Sequence, residues 1–209
     1  MNLAKSKLGT KEYWDQFYKR EIDNFSQNET DTGENWFDDT GAEDRVCEYF
    51  EQLEPLEDET ILDLGTGNGH MLFALKETGI KGRMLGIDYS EASVEFARKL
   101  AEHAGLDVAF EQADFINNPE WTSQQFDYIN DKGTLDAIAL STIPNAVQKY
   151  RDSVVKLMKP TTTLVITSCN FTEKELSELI GLKYTSLPYR TFSFGGCSGS
   201  AVVTLSFTL

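Results

Sequence analysis

The order of apolar and polar residues predicts helices and strands alternating along nearly the whole chain. Residues 10–23 place Trp14, Phe17, Tyr18 and Ile22 at helical spacing, with Thr10 near the cap. A polar stretch over 24–40 follows, broken by Gly33 and the aromatic pair Trp36 and Phe37. The stripe Val46, Phe50 and Leu53 predicts a helix over 42–53, and a short apolar run predicts a strand over 60–64. Further helical patterns fall at 71–79, 90–102, 134–141, 145–158 and 173–180, the last capped by Thr172. Strand-like runs fall at 83–87, 107–112, 126–130 and 162–167, with two more at 182–187 and 201–208. This alternation implies an α/β fold, a parallel sheet with helices on both faces. The last two strands, joined by a loop and not a helix, are expected to pair antiparallel, making seven strands in all. No linker or repeat divides the chain, so residues 1–209 are expected to form one domain. Its N-terminal helix and loop occupy 1–40 and its seven-stranded core 41–209.

The first strand runs into Asp63-Leu64-Gly65-Thr66-Gly67-Asn68-Gly69-His70. A strand, a glycine loop and a helix start in this order let backbone N–H groups approach a ligand closely. A dinucleotide fingerprint wants a glycine where His70 stands, and Asp63 sits poorly beside a pyrophosphate, which counts against a nicotinamide oxidoreductase. D-x-G-x-G-x-G resembles the cofactor loop of the class I S-adenosyl-L-methionine-dependent methyltransferases. The seven strands then read as the Rossmann-like methyltransferase sheet with its C-terminal antiparallel strand pair.

Ligands of open α/β sheets bind beyond the carboxyl ends of the strands, and Asp63, Asp88, Asp114 and Asp131 all fall there. Asp88, about twenty residues beyond Gly69, is placed to accept both ribose hydroxyls of such a cofactor. Asp114 is placed to accept from the adenine amine, and Tyr89 or Phe115 to cover the base. Trp36 and Phe37 either anchor their loop on the core or roof the cofactor pocket. Gly65, Thr66, Gly67, Asn68 and Gly69 form the cradle.

Charge narrows the acceptor. The net charge is -15, and Arg45 is the only basic residue between Glu29 and Glu59. A nucleic-acid backbone is therefore a poor partner, and a basic protein or an amine a better one. The chain also lacks the Pro-Pro turn of amino-methylating nucleic-acid enzymes and the Pro-Cys context of cytosine C5 enzymes. Its three cysteines form no C-x-x-C, and no run approaches the length of a membrane span. A cytoplasmic monomer without membrane contact is expected. A lysine amine, with a pKa of about 10.4, must lose a proton before attack, at about 4–5 kcal/mol near neutral pH. Alignment for in-line displacement can contribute roughly 7–11 kcal/mol, so no strong base is required. Asp131 is expected to orient the amine beside the cofactor, with Lys132 next to it on the substrate side.

Closer resemblance is carried by YWDQFY at 13–18 with DTGENWF at 31–37, LDLGTGNGH at 62–70 with GIDYS at 86–90, DKGTLDAIAL at 131–140, and TSCNFT at 167–172 with FSFGGCSG at 192–199. Together these resemble the elongation factor 1-alpha lysine methyltransferase family. The resemblance implies methylation of a lysine on translation elongation factor 1-alpha, a basic cytosolic protein. The short stretch STIPNAV after Leu140 departs from the family by trimming a loop near the acceptor site. Residues 189–199 are long for a hairpin connection, and their Phe192 and Phe194 either line a lysine channel or pack the loop down. Cys169 is expected to be a buried, small apolar residue. A small-molecule N- or O-methyltransferase with an enclosed acceptor pocket, and a non-catalytic adaptor on the same fold, are the competing readings.

Overall fold

The computed structural model of the chain describes residues 4–118, 120–189 and 201–209, with the backbone alone of 192–194 and 197–199. Its helices are α1 (Lys11–Gln27), α2 (Ala42–Leu53), α3 (His70–Glu77), α4 (Glu91–Ala104), α5 (Thr134–Ala139), α6 (Ala146–Leu157) and α7 (Glu173–Ile180). Its strands are β1 (Thr60–Leu64), β2 (Arg83–Asp88), β3 (Ala109–Gln112), β4 (Phe126–Lys132), β5 (Met158–Ser168), β6 (Lys183–Leu187), β7 (Phe192–Phe194), β8 (Cys197–Gly199) and β9 (Val203–Thr208). Seven of them form one sheet in the order β3-β2-β1-β4-β5-β9-β6. The first five run parallel, and β9 lies antiparallel between β5 and β6. This is the Rossmann-like α/β sheet with its closing antiparallel pair, as expected.

Alternation along the strands divides the core. Ile61 and Val165 point to the layer that holds Phe17 and Phe25 of α1, Phe50 of α2, Leu72 of α3 and Phe96 of α4. Leu62, Leu64, Leu164 and Ile166 point to the opposite layer, with Leu135 of α5, Tyr150 of α6 and Leu176 of α7.

Several ends differ from the sequence pattern. Helix α1 runs four residues past 23 because Phe25 continues its buried stripe, its ring 6.1 Å from Phe96 and 5.4 Å from His103. Strand β4 continues to Lys132, which pairs with Thr167. Strand β5 begins early at Met158, opposite Phe126, with an irregularity before Thr163 that accommodates Pro160. The short ribbon β7–β8 falls where only a loop was expected.

The N-terminal segment crosses to the far side of the sheet's carboxyl end. Ser6 N donates to Leu140 O at 3.1 Å, and a Cβ on Gly9 would collide with the backbone of Leu140 and Ser141. The strap therefore lies flat on the end of α5 and bridges the two halves of the site.

Candidate active site

A cavity of about 570 Å³ opens at the carboxyl ends of β1, β2, β4 and β5. That size suits a nucleoside-sized ligand with room to spare. Its floor is the glycine loop. Gly65 and Gly67 both take left-handed backbone, at φ 63° and 59°. A side chain on Gly65 would collide with Thr134, and one on Gly67 would stand 2.5 Å from the Tyr18 hydroxyl. Thr134 Oγ1 donates to Leu64 O at 2.7 Å, stitching α5 to the end of β1.

At the end of β2, Asp88 is buried and faces the cavity. Its carboxylate accepts from Gly67 N at 3.2 Å and from Ser90 N at 2.9 Å. Burial pushes its carboxyl up to about 6. Asp114 also lines the cavity and accepts from the backbone N–H of Ile116 and Asn117 and from Asn117 Nδ2. Tyr89 lines the wall, and so does the buried Phe115. Asp63 is buried, accepts from Asn130 Nδ2 at 2.7 Å, and is held above the usual carboxylate range by burial.

The roof comes from the polar stretch after α1. Asn68 Nδ2 donates to the carbonyls of Thr32 and Glu34, and Lys132 Nζ to Trp36 O at 2.6 Å and Asn35 Oδ1 at 3.1 Å. Phe37, at φ 70°, lays its ring against Gly133. Trp36 lines the cavity and also packs its ring 5.5 Å from Trp14. Glu43 accepts from Asn35 Nδ2 and meets His70 Nδ1 at 3.1 Å, a contact that raises the His70 pKa.

Two expectations are corrected. Asp131 does not line the cavity: it is fully buried, and it accepts from Tyr150 Oη at 2.6 Å, Thr134 N at 2.8 Å and Leu135 N at 3.1 Å. Because β4 extends to Lys132, alternation turns Asp131 toward α5 and α6 with Ile129, and turns Asn130 and Lys132 the other way. Burial pushes the Asp131 carboxyl up to about 7. Lys132 lines the cavity, and two of its three N–H donors hold the roof. Cys169 is exposed on the cavity rim instead of buried, and its thiol, pushed up to about 12 by partial desolvation and by Asp136, stays protonated. The side chains of Phe192 and Phe194 lie outside the described residues.

The acid that does reach the cavity from the DKGTLDAI segment is Asp136. It accepts from Ser168 Oγ and from Cys169 N at 2.8 Å, and burial raises its pKa. Sequence reading passed over it, and over Trp14, Tyr18 and Thr134. The helical spacing of Trp14 and Tyr18 signalled only a buried face, and no local pattern singled out Thr134 or Asp136. A buried carboxylate at the end of β2 beside a glycine-rich loop, with aromatic walls, fits a nucleoside cofactor of the S-adenosylmethionine kind.

Residues 56–198 match the family described as "Methyltransferase domain", which defines the class. The solved magnesium protoporphyrin IX methyltransferase of Synechocystis shares the fold, with a TM-score of 0.60 at 16% identity over 92% of this chain and 97% of that one. Among curated proteins, the chain is 41% identical to protein-lysine N-methyltransferase EFM4 of Saccharomyces cerevisiae, over 99% of this chain and 96% of the relative. It is 39% identical to EEF1A lysine methyltransferase 2 of Danio rerio, over 99% and 89%. The chain belongs to this family of protein-lysine N-methyltransferases.

Proposed function

We propose that this protein transfers a methyl group from S-adenosylmethionine to a lysine amine of translation elongation factor 1-alpha, in the cytoplasm. The observation that carries this reading is kinship over nearly the full chain with EFM4 and with EEF1A lysine methyltransferase 2. Residues 1–209 act in it as one methyltransferase unit.

Gly65, Thr66, Gly67, Asn68 and Gly69 cradle the cofactor, and Asp88 accepts its ribose hydroxyls. Asp114 stands at the adenine edge between Tyr89 and Phe115, Trp36 closes the roof, and Asp63 lies beneath the amino-acid end. Bound S-adenosylmethionine supplies an electrophilic methyl on a sulfonium. Everything else falls to the chain. The aromatic roof and the strap keep water from the site, since Trp14, Trp36, Phe37 and Leu8 line it. The nucleoside half lies over β3, β2 and β1, so the remaining cavity over β4 and β5 receives the acceptor. There Asp136 meets the incoming ammonium and orients the free amine once its proton has left to water. Asp136 replaces Asp131 in that role because it is the carboxylate of α5 that lines the cavity. The chain's contribution to rate is alignment, for which roughly 7–11 kcal/mol is available. The acidic surface, -15 overall, draws in a basic protein.

The test is intact-mass spectrometry of elongation factor 1-alpha, purified from cells lacking the enzyme, after incubation with this protein and S-adenosylmethionine. Mass gains of whole methyl increments, mapped to one lysine, are expected. An unchanged mass despite cofactor binding would send the search to other proteins and small amines.

A further inference from the structure

We propose that Tyr18 is a cofactor-binding residue: its hydroxyl, delivered by α1 across the glycine loop, donates a hydrogen bond to the amino-acid carboxylate of the bound sulfonium cofactor. The proposal rests on the cofactor reading above and assigns to α1 a part of the site that the glycine-loop motif does not contain.

Tyr18 is 6% exposed, yet it lines the cavity. Its ring is fixed by Trp14, stacked at 6.0 Å, and by Phe17, edge-on at 5.1 Å. The hydroxyl stands directly over Gly67, where any Cβ would meet it at 2.5 Å. It has no hydrogen-bond partner among the described residues. The hydroxyl opens onto the cavity at the end of a ring held by its neighbours, where a ligand acceptor can take the place of water. Its protonation state is fixed too: burial, and then Asp88, Glu21 and Glu34, hold the phenol well above its ordinary pKa. Tyr18 therefore faces the cavity as a donor.

Chemistry selects the acceptor. The ribose hydroxyls are themselves donors and are met by the Asp88 carboxylate. The amino-acid end brings a carboxylate with unfilled lone pairs on both oxygens, which needs donors. Several neighbouring side-chain donors at the loop are committed inside the protein. Asn68 Nδ2 goes to Thr32 O and Glu34 O, Thr134 Oγ1 to Leu64 O, and Trp14 Nε1 to Leu8 O. Trp36 Nε1 in the roof and Thr66 Oγ1 in the loop, both on the same cavity, have no partner among the described residues. Tyr18 is the unpartnered donor that stands directly over Gly67. The same contact explains why the second glycine of the loop must lack a side chain even with no ligand present.

The experiment is titration calorimetry of the full chain and of Tyr18→Phe with two probes, S-adenosylhomocysteine and 5′-methylthioadenosine. The second probe keeps the nucleoside and sulfur but has no amino-acid group. In Tyr18→Phe, affinity for S-adenosylhomocysteine is expected to fall about tenfold or more, the size of one hydrogen bond to a charged group. Affinity for 5′-methylthioadenosine is expected to stay unchanged, so the ratio of the two collapses. That ratio is insensitive to any loss of folded protein in the variant. An equal loss on both probes, or none on S-adenosylhomocysteine, overturns the assignment while leaving the cofactor reading intact. Failure of the unmodified protein to bind S-adenosylhomocysteine overturns both.

Discussion

Asp88 and Asp136 are both buried carboxylates on one cavity, and their surroundings assign them different work. Asp88 is pinned by two backbone N–H groups and titrates near 6 when no ligand is bound. In the proposed role its ionised form accepts the ribose hydroxyls, so cofactor affinity should be flat above pH 7 and weaken by up to about tenfold per unit below pH 6. Calorimetry of S-adenosylhomocysteine between pH 5 and 8 checks this, and a flat profile would remove Asp88 from the ribose. Asp136 is anchored by Ser168 and Cys169 at the end of β5, the part of the cavity proposed for the acceptor. Asp136→Asn should leave S-adenosylhomocysteine affinity within about twofold and reduce methyl transfer about 100-fold, as expected of a group that acts on the acceptor alone. Equal losses in binding and transfer would assign Asp136 to the cofactor.

Helix α5 is the element on which both halves of the site depend. It is six residues long, and Gly133 at its N-terminus offers no capping side chain. Asp131 takes that task from within β4, accepting from Thr134 N and Leu135 N while Tyr150 closes its remaining oxygen. Removing a buried acceptor from several donors is costly, at about 1–3 kcal/mol for each donor left unpaired. Asp131→Ala should therefore lower the unfolding free energy by about 3 kcal/mol or more, and urea denaturation at pH 7 would measure it. A variant of normal stability that fails only in transfer would return Asp131 to the chemistry. The loop after α1 depends on the same strand end, through Lys132 and the carbonyl of Trp36. One residue apart on β4, Asp131 fixes the floor helix and Lys132 the roof.

At the scale of the whole molecule, acids dominate twice, on the surface and beneath it. Asp63, Asp88, Asp131 and Asp136 all have raised pKa values through burial, two of them at about 6 and about 7. In the unfolded chain these carboxyls ionise near 3.9. Between that value and pH 7 the folded state holds the extra protons, so stability falls as pH rises through this window. Repulsion within a chain of charge -15 acts in the same direction. The ligand-free protein should thus resist urea better at pH 5 than at pH 8, and the reverse order would contradict the buried, raised state of these acids.

The sequence by itself determined the order of elements, the parallel sheet with its antiparallel closure, and the cofactor loop. Each is written in local signals: apolar period, caps such as Thr172, and the spacing of Gly65, Gly67 and Gly69. It also located the acids at the strand ends, because a strand followed by a turn is visible in one dimension. Which of those acids faces the ligand was decided only by tertiary structure. Pairing with β5 carries β4 through Asp131 to Lys132, so Asp131 turns inward against Thr134, Leu135 and Tyr150, while Asp136 of α5 lines the cavity. The same holds for Tyr18, a core residue by its helical spacing, which becomes a ligand-facing group because α1 packs across a loop formed some fifty residues later. Periodicity reports which face of an element is buried, and only packing against distant elements decides what lies on the other side of it.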